Sequence, residues 1–302
     1  MGGHARTLKR QLDQMSYLQD APDWVRAAVS QPRSDHAVES DGAQLHVAGW
    51  NAREVDKPPL LFVHGFRANA HWWDHIAPYF VERHRVFALD LSGMGSSARR
   101  RLYTPEHYIG DIVAVGRSLK NAAPRLPLTV VGHSFGGSRT LEACALEPDL
   151  IARAVVLDSM FRLHDDQPVP RQQLGRPEPY PDEASVVARF RLLPEQPADP
   201  WLKAYIAYHS VARVPGGWSW RFDMQMPATL DFGAGEPLLQ AIRNPVDLIR
   251  GEHSIILDER RADRIAALLE KVRGPIVIPE AHHHLMLDQP LALISVLRTL
   301  LA

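Results

Sequence analysis

From Pro59 onward the chain alternates short apolar runs with longer stretches of helical period, the runs being PLLFVHG, RVFALDL, LTVVGHS, RAVVLDS, VDLIRGE and PIVIPEA. Runs of this length, rich in Val, Ile and Leu and free of polar alternation, predict parallel strands buried between two layers of helices. Each carries Gly, Asp, Ser, His or Glu within its last three residues, and open parallel sheets carry their reactive groups at the carboxyl ends of the strands. Upstream, HAVES and AQLHVAGW flank Asp41-Gly42, a strong hairpin signal. Earlier still, Leu8, Leu12, Met15 and Leu18 recur at helical spacing over residues 7–30, with an interruption at Pro22. The pattern predicts an α/β fold, a mostly parallel sheet flanked by helices, behind an N-terminal helical extension over 1–35.

The regular spacing of strands breaks between Asp158 and Asn244. The intervening stretch opens with a Pro-rich segment (Gln167 to Pro181), continues with helical patterns near Ala184 to Leu193 and Trp201 to His209, and carries the aromatic run GGWSWRFDM. It predicts a helical lid over 159–240, inserted after the sixth strand and dividing the core into 36–158 and 241–302. The lid is dense in Trp201, Tyr205, Tyr208, Trp218, Trp220, Phe222, Met224 and Met226. Aromatic and Met side chains beside a cleft suit an apolar or ring-bearing substrate, and Tyr205, Tyr208, Trp218 and Trp220 are the candidate substrate contacts. Trp72 and Trp73 are expected to be buried anchors.

With 302 residues, 45% of them hydrophobic and 23% charged, the chain has the composition of a globular protein with a sizeable core. A net charge of -1 gives no broad basic field for nucleic acid or an anionic membrane, so the expected partners are small molecules or a second copy in a homodimer. The Arg99-Arg100-Arg101 run reads as a solvated surface cluster. Cys144 is the only cysteine, which excludes an internal disulfide. The N-terminal residues carry positive charge with no apolar run behind it, and no stretch approaches the length of a membrane span. The expected location is cytoplasmic.

Gly132-His133-Ser134-Phe135-Gly136 stands where the apolar run LTVV ends and a helical pattern begins. A side chain lifted to the mouth of a sheet by a sharp, strained turn leaves its neighbours little room, so the residues two before and two after must be small. Roughly 0.1 matches to G-x-S-x-G arise by chance in a chain this long, so the strand-before, helix-after placement gives the motif its weight. Ser134 is the candidate nucleophile. Its oxyanion donors would be the backbone N–H of Phe66, in the loop after LLFV, and that of Phe135 at the start of the following helix. Glu280-Ala281-His282-His283-His284 follows the last strand; adjacent histidines lack the spacers that let zinc ligands on one loop converge, and the better reading is one general base. No cofactor and no metal are expected.

HGF after the third strand, LDLSGMGSS after the fourth, GHSFGG at the fifth and AHHHLMLDQP at the end together resemble the α/β-hydrolase superfamily, in its lid-bearing serine esterase, lactonase and carbon-carbon hydrolase branch. The resemblance covers residues 36 to 302 and implies the α/β-hydrolase fold. It implies His283 as the base, seven residues before Pro290, with His282 and His284 packing around it. It also implies an acid three residues after the Gly that closes the seventh strand, but this chain reads Gly251-Glu252-His253-Ser254. Some members place the acid after the sixth strand, where Asp158 stands; Asp158 is the favoured candidate, ahead of Glu252 and then Asp258. Asp90, Ser92, Gly93 and Gly95 resemble a family loop beside the site, with a structural role. The expected activity is hydrolysis of a carboxylic ester or lactone of a hydrophobic or aromatic small molecule through an acyl-enzyme. A carbon-carbon bond hydrolase of the same fold and a non-catalytic ligand receptor are the alternatives. Dehalogenase and epoxide hydrolase chemistry need a carboxylate where Ser134 stands.

Overall fold

The computed structural model describes residues 18–166, 178–226 and 235–302. Helix α1 (Asp23–Val29) begins immediately after Pro22, whose ring is tolerated at a helix start but not inside one. Leu18 and Val25 bury against the body, whereas Leu8, Leu12 and Met15 lie outside the described residues. Strands β1 (Ser34–Ser40) and β2 (Ala43–Trp50) form the expected hairpin, and Asp41 and Gly42 both take positive φ at its turn.

The core follows with β3 (Pro59–Val63), β4 (Arg85–Leu89), α2 (Pro105–Ala122), β5 (Thr129–His133), α3 (Phe135–Leu146) and β6 (Arg153–Leu157). After the excursion that follows β6, it resumes with β9 (Val246–Gly251), α7 (Glu259–Leu268), β10 (Val272–Ile278), α8 (Leu285–Asp288) and α9 (Pro290–Leu300). These strands make one eight-stranded sheet in the order β1-β2-β4-β3-β5-β6-β9-β10. β2 runs antiparallel to its neighbours and every pair from β4 to β10 is parallel. Alternate residues of each strand feed opposite layers, as strand geometry requires. Leu61, Val63, Val130 and Val156 face α2 and α3, while Leu60, Phe62, Val131 and Val155 face α1 and α9. Burial of both faces is why β3 and β4 read as unbroken apolar runs.

Between β6 and β9 lie α4 (Glu183–Val187), α5 (Pro200–His209), β7 (Val211–Val214), β8 (Gly217–Trp220) and α6 (Glu236–Ala241). The expectation of a purely helical insertion needs correcting: β7 and β8 pair as an antiparallel hairpin around Pro215-Gly216-Gly217, with both glycines at positive φ. The Val-rich and Trp-rich alternation on either side of that turn favours strands over a helix. α4 is also shorter than the pattern over Ala184 to Leu193 suggests; the chain leaves the helix at Ala188 and lines the cleft as an irregular segment. Among the described residues no helix is long and apolar enough to cross a membrane.

Candidate active site

Ser134 stands at the turn between β5 and α3 with φ 53° and ψ −120°, a conformation that costs a non-glycine residue free energy and is held by its surroundings. The two flanking glycines show how tight the turn is. A Cβ on Gly132 would come within 2.6 Å of Gly137 Cα, and one on Gly136 within 2.4 Å of the His64 carbonyl oxygen. β3, where the connections of the sheet reverse direction, lies beside β5, so the loop after β3 faces the Ser134 turn.

Ser134 Oγ lies 3.0 Å from Nε2 of His283, and Nδ1 of the same ring lies 2.7 Å from Oδ2 of Asp158. The three come from the turns after β5 and β6 and the loop after β10, so sheet topology converges residues far apart in the chain. Asp158 is fully buried, and its carboxylate accepts from Ser254 Oγ at 2.5 Å and from the Gly251 amide at 3.3 Å. Burial raises the Asp158 carboxyl, and the Ser254 hydroxyl and Gly251 amide oppose that rise. Burial lowers the His283 imidazole, keeping it neutral and able to accept a proton. With Nδ1–H donating to Asp158, Nε2 is the free lone pair and faces the serine.

The other two carboxylates considered from the sequence lie elsewhere. Glu252 is exposed and accepts from the Glu280 amide at 2.9 Å. Asp258 caps α7 by accepting from the Arg261 amide at 2.8 Å. Ser254 occupies the position at which the family resemblance implies an acid, and it binds the acid that stands after β6 instead. That contact joins residues of two neighbouring strand ends and carries no local sequence signal.

Phe66 follows Gly65 in the loop after β3, Phe135 opens α3, and their rings meet edge to face with centroids 5.5 Å apart. Residues the motifs did not single out brace this loop. His64 Nδ1 donates to the Gly65 carbonyl at 2.7 Å, and its Nε2 accepts from the Leu91 amide at 3.2 Å. His133 Nε2 donates to the His283 carbonyl at 2.9 Å, tying the turn before Ser134 to the loop that carries His283. Asp90 receives the Ala70 and Ser96 amides at 2.6 and 2.8 Å and a His46 nitrogen at 2.8 Å, so it holds loops beneath the site. Ser92 donates its amide to Asp111 at 2.8 Å. Gly93 and Gly95 turn at positive φ in the same loop.

His133, His283 and His284 are buried and each brings one ring nitrogen within 4.8 Å of the others. A divalent ion held there would have to take His283 Nε2 from Ser134 or Nδ1 from Asp158. His282 instead turns to Asp288, with Nδ1 3.0 Å from its Oδ2.

A cleft of about 470 Å³ opens on Ser134. Of the four lid aromatics expected to contact substrate, Trp220 lines it, beside Phe222 and Met224. Trp218 lies on the same face of β8 two residues nearer the turn, where its backbone pairs with Tyr180, and is outside the cleft lining. Tyr205 and Tyr208 are also outside it: both are buried, and Tyr205 donates its hydroxyl to Asp74 at 2.6 Å. The reason lies in α5, whose Leu202, Tyr205, Ile206 and His209 share one stripe that packs on the body. Trp73 is the buried anchor expected, its ring tilted against Phe62 with centroids 4.8 Å apart, whereas Trp72 also lines the cleft.

A family model described as the alpha/beta hydrolase family matches residues 60–296. The esterase Rv0045c of Mycobacterium tuberculosis is 27% identical over 255 residues, 81% of this chain and 83% of that protein. The lipase LipV of the same organism is 27% identical over 217 residues, 67% of this chain and 80% of its own length. Among solved structures, that of Rv0045c superposes with a TM-score of 0.69 at 23% identity, covering 94% of this chain and 97% of the other. The thioesterase domain from the curacin biosynthetic pathway superposes at 0.71 and 20% identity, covering 89% and 99%. The sheet order, the Ser134 turn at the switch point and the match over most of the chain lead to one conclusion: the chain belongs to the α/β-hydrolase family.

Proposed function

We propose that the protein is a serine hydrolase of carboxylic esters or lactones, acting through an acyl-enzyme on Ser134. The observation that carries this reading is the unbroken relay from Ser134 Oγ through the His283 ring to Asp158, at 3.0 and 2.7 Å, beneath a largely apolar cleft. The esterase and lipase names of two relatives that match over most of the chain support the same class.

In the first half-reaction His283 Nε2 takes the Ser134 proton as Oγ bonds to the carbonyl carbon. The oxyanion is received by the Phe66 and Phe135 amides, each such donor being worth about 10² to 10³ in rate. His283 returns the proton to the alcohol as the ester C–O bond breaks. A water deprotonated by the same nitrogen then releases the acid and restores Ser134. Asp158 holds the His283 tautomer and stabilises the imidazolium that forms. Of the segment from 159 to 240 expected as a lid, the described residues 178–226 serve that role, with Trp220 as the aromatic contact to an apolar substrate. The absence of an acid three residues after Gly251 does not count against this reading, because Asp158 stands beside His283 and is supported by Ser254.

The test is hydrolysis of short-chain and aromatic p-nitrophenyl esters. Ser134→Ala and His283→Ala should each lower kcat/KM by at least about 10³ while leaving the thermal transition in place. Release of nitrophenol by the variants at the wild-type rate would refute the proposal.

A further inference from the structure

The cleft over Ser134 has an uneven lining. Its apolar walls include Phe190, Leu192, Trp220 and Ile256; its charged residues are Arg67, Arg189 and Arg191, with no Asp or Glu among them. Arg67 directly follows Phe66, and it stands at φ 58°, an unusual backbone state for a long side chain. Its guanidinium lies over the rings of Phe66 and Phe222 at 5.0 and 5.1 Å. Those rings fix the cation by attraction to their π faces and leave its N–H edge free of acceptors. Nε and Nη2 of Arg67 are buried with no hydrogen-bond partner.

Three other partly buried arginines are answered by carboxylates, and the buried Arg85 and Arg250 donate to backbone carbonyls. Arg33 meets Asp74 at 3.0 Å, Arg100 meets Asp111 at 2.9 Å and Arg261 meets Asp166 at 2.6 Å. Among the described residues no carboxylate stands at ion-pair distance from Arg67, and burial without a counter-charge lowers its pKa. An uncompensated guanidinium in an apolar wall is unfavourable until an anion reaches it. Arg189 and Arg191 stand exposed at the same cleft and add positive potential at its mouth.

We infer that the substrate carries a carboxylate in addition to the bond that is cleaved, and that Arg67 receives it while the aromatic and aliphatic walls take the apolar part. A planar guanidinium with free N–H groups on one edge suits a carboxylate by paired hydrogen bonds. The inference rests on the hydrolase reading for the reaction but not for the site, because a carboxylate would be recognised whether or not it were turned over. It narrows the substrate from apolar esters in general to amphipathic acid esters.

Two measurements separate these claims. In the first, mono-p-nitrophenyl succinate and p-nitrophenyl butyrate, similar in acyl length and differing by a carboxylate, are hydrolysed by the wild type, Arg67→Gln and Arg67→Lys. The ratio of kcat/KM, charged over neutral, should exceed ten in the wild type, fall at least tenfold in Arg67→Gln through KM, and be partly kept in Arg67→Lys. In the second, 4-phenylbutyrate and 4-phenylbutan-1-ol are titrated calorimetrically into Ser134→Ala. The acid should bind at least tenfold more tightly, and the difference should vanish when Arg67→Gln is added. A wild-type ratio of one or less, a ratio unchanged by Arg67→Gln, or equal binding of acid and alcohol overturns the inference. If both esters resist hydrolysis while the acid still binds through Arg67, the hydrolase reading fails and the carboxylate site stands.

Discussion

In the proposed relay, Asp158 and Ser254 divide between them a task that the family resemblance assigns to one carboxylate after the seventh strand. Asp158 meets His283 from the end of β6, and Ser254, where that carboxylate would be, donates to Asp158 at 2.5 Å. A hydroxyl donor favours the ionised carboxylate against the burial that disfavours it, and it fixes the oxygen that faces His283. Asp158→Asn should therefore lower kcat for a p-nitrophenyl ester by about 10³ to 10⁴, because the amide presents the wrong donor and acceptor to the ring. Glu252→Gln should change kcat less than about threefold, since Glu252 is exposed and bonded to the Glu280 amide. The reverse ranking would remove Asp158 from the relay. Ser254→Ala is expected to fall between them, lowering kcat about tenfold, in line with loss of one hydrogen bond to a charged group. A wild-type kcat in Ser254→Ala would show that the remaining contacts suffice to hold Asp158.

At the scale of elements, legibility followed the physics that writes each signal. Five of the six core strands were readable because burial on both faces leaves no polar alternation, whereas β10 lies at the sheet edge and is only partly buried; the Ser134 turn was readable because its crowding demands small residues at fixed offsets. The convergence of Ser134, His283 and Asp158 was approachable because all three follow strands of one sheet. Arg67 was not legible: nothing in HGFR tells which acceptors will be missing around a guanidinium until loops distant in sequence have packed. Helix α5 misled for a related reason, since aromatic side chains at helical spacing mark a buried stripe as readily as a cleft wall. Tyr205 and Ile206 join Leu202 in the layer beneath the sheet, so α5 is part of the folding core. Leu202→Ala should destabilise the protein by about 2 to 5 kcal/mol in urea unfolding, as for other fully buried leucines. Trp220→Ala, at a half-exposed position on the hairpin, should leave the urea midpoint nearly unchanged and act on KM for an aromatic ester. A Leu202→Ala midpoint equal to the wild type would mean that α5 is not part of the cooperative unit.

Across the whole molecule, the same desolvation that prepares the site sets how the fold responds to acid. Eight histidines, His64, His71, His75, His84, His133, His209, His283 and His284, are held below their ordinary pKa of 6.5 chiefly by burial. For His75 and His133 the values fall to about 4 and about 3. In the unfolded chain each regains its ordinary affinity, so below pH 6.5 the unfolded state binds more protons than the folded one. Stability then rises with pH, and equivalently drains away as the pH falls from 6.5 toward 4. Asp158, His46, His164, Asp199, Asp247 and Asp288, all raised, work the other way: the folded state takes up protons there before the unfolded state does. The eight histidines outnumber these six, and four of the six are carboxyls that start from an ordinary value of 3.8, below the histidine range. Asp74 and Asp90, held low by histidine partners, add their own loss below their ordinary pKa of 3.8, at the end of the same titration. The thermal midpoint should accordingly drop by about 5 °C or more between pH 7.5 and pH 5.0, a shift matching a few kcal/mol in a domain of this size. A midpoint that is flat or rises over that interval would show that the buried imidazoles are already compensated in the folded state, and would leave the acid limb of activity to His283 alone.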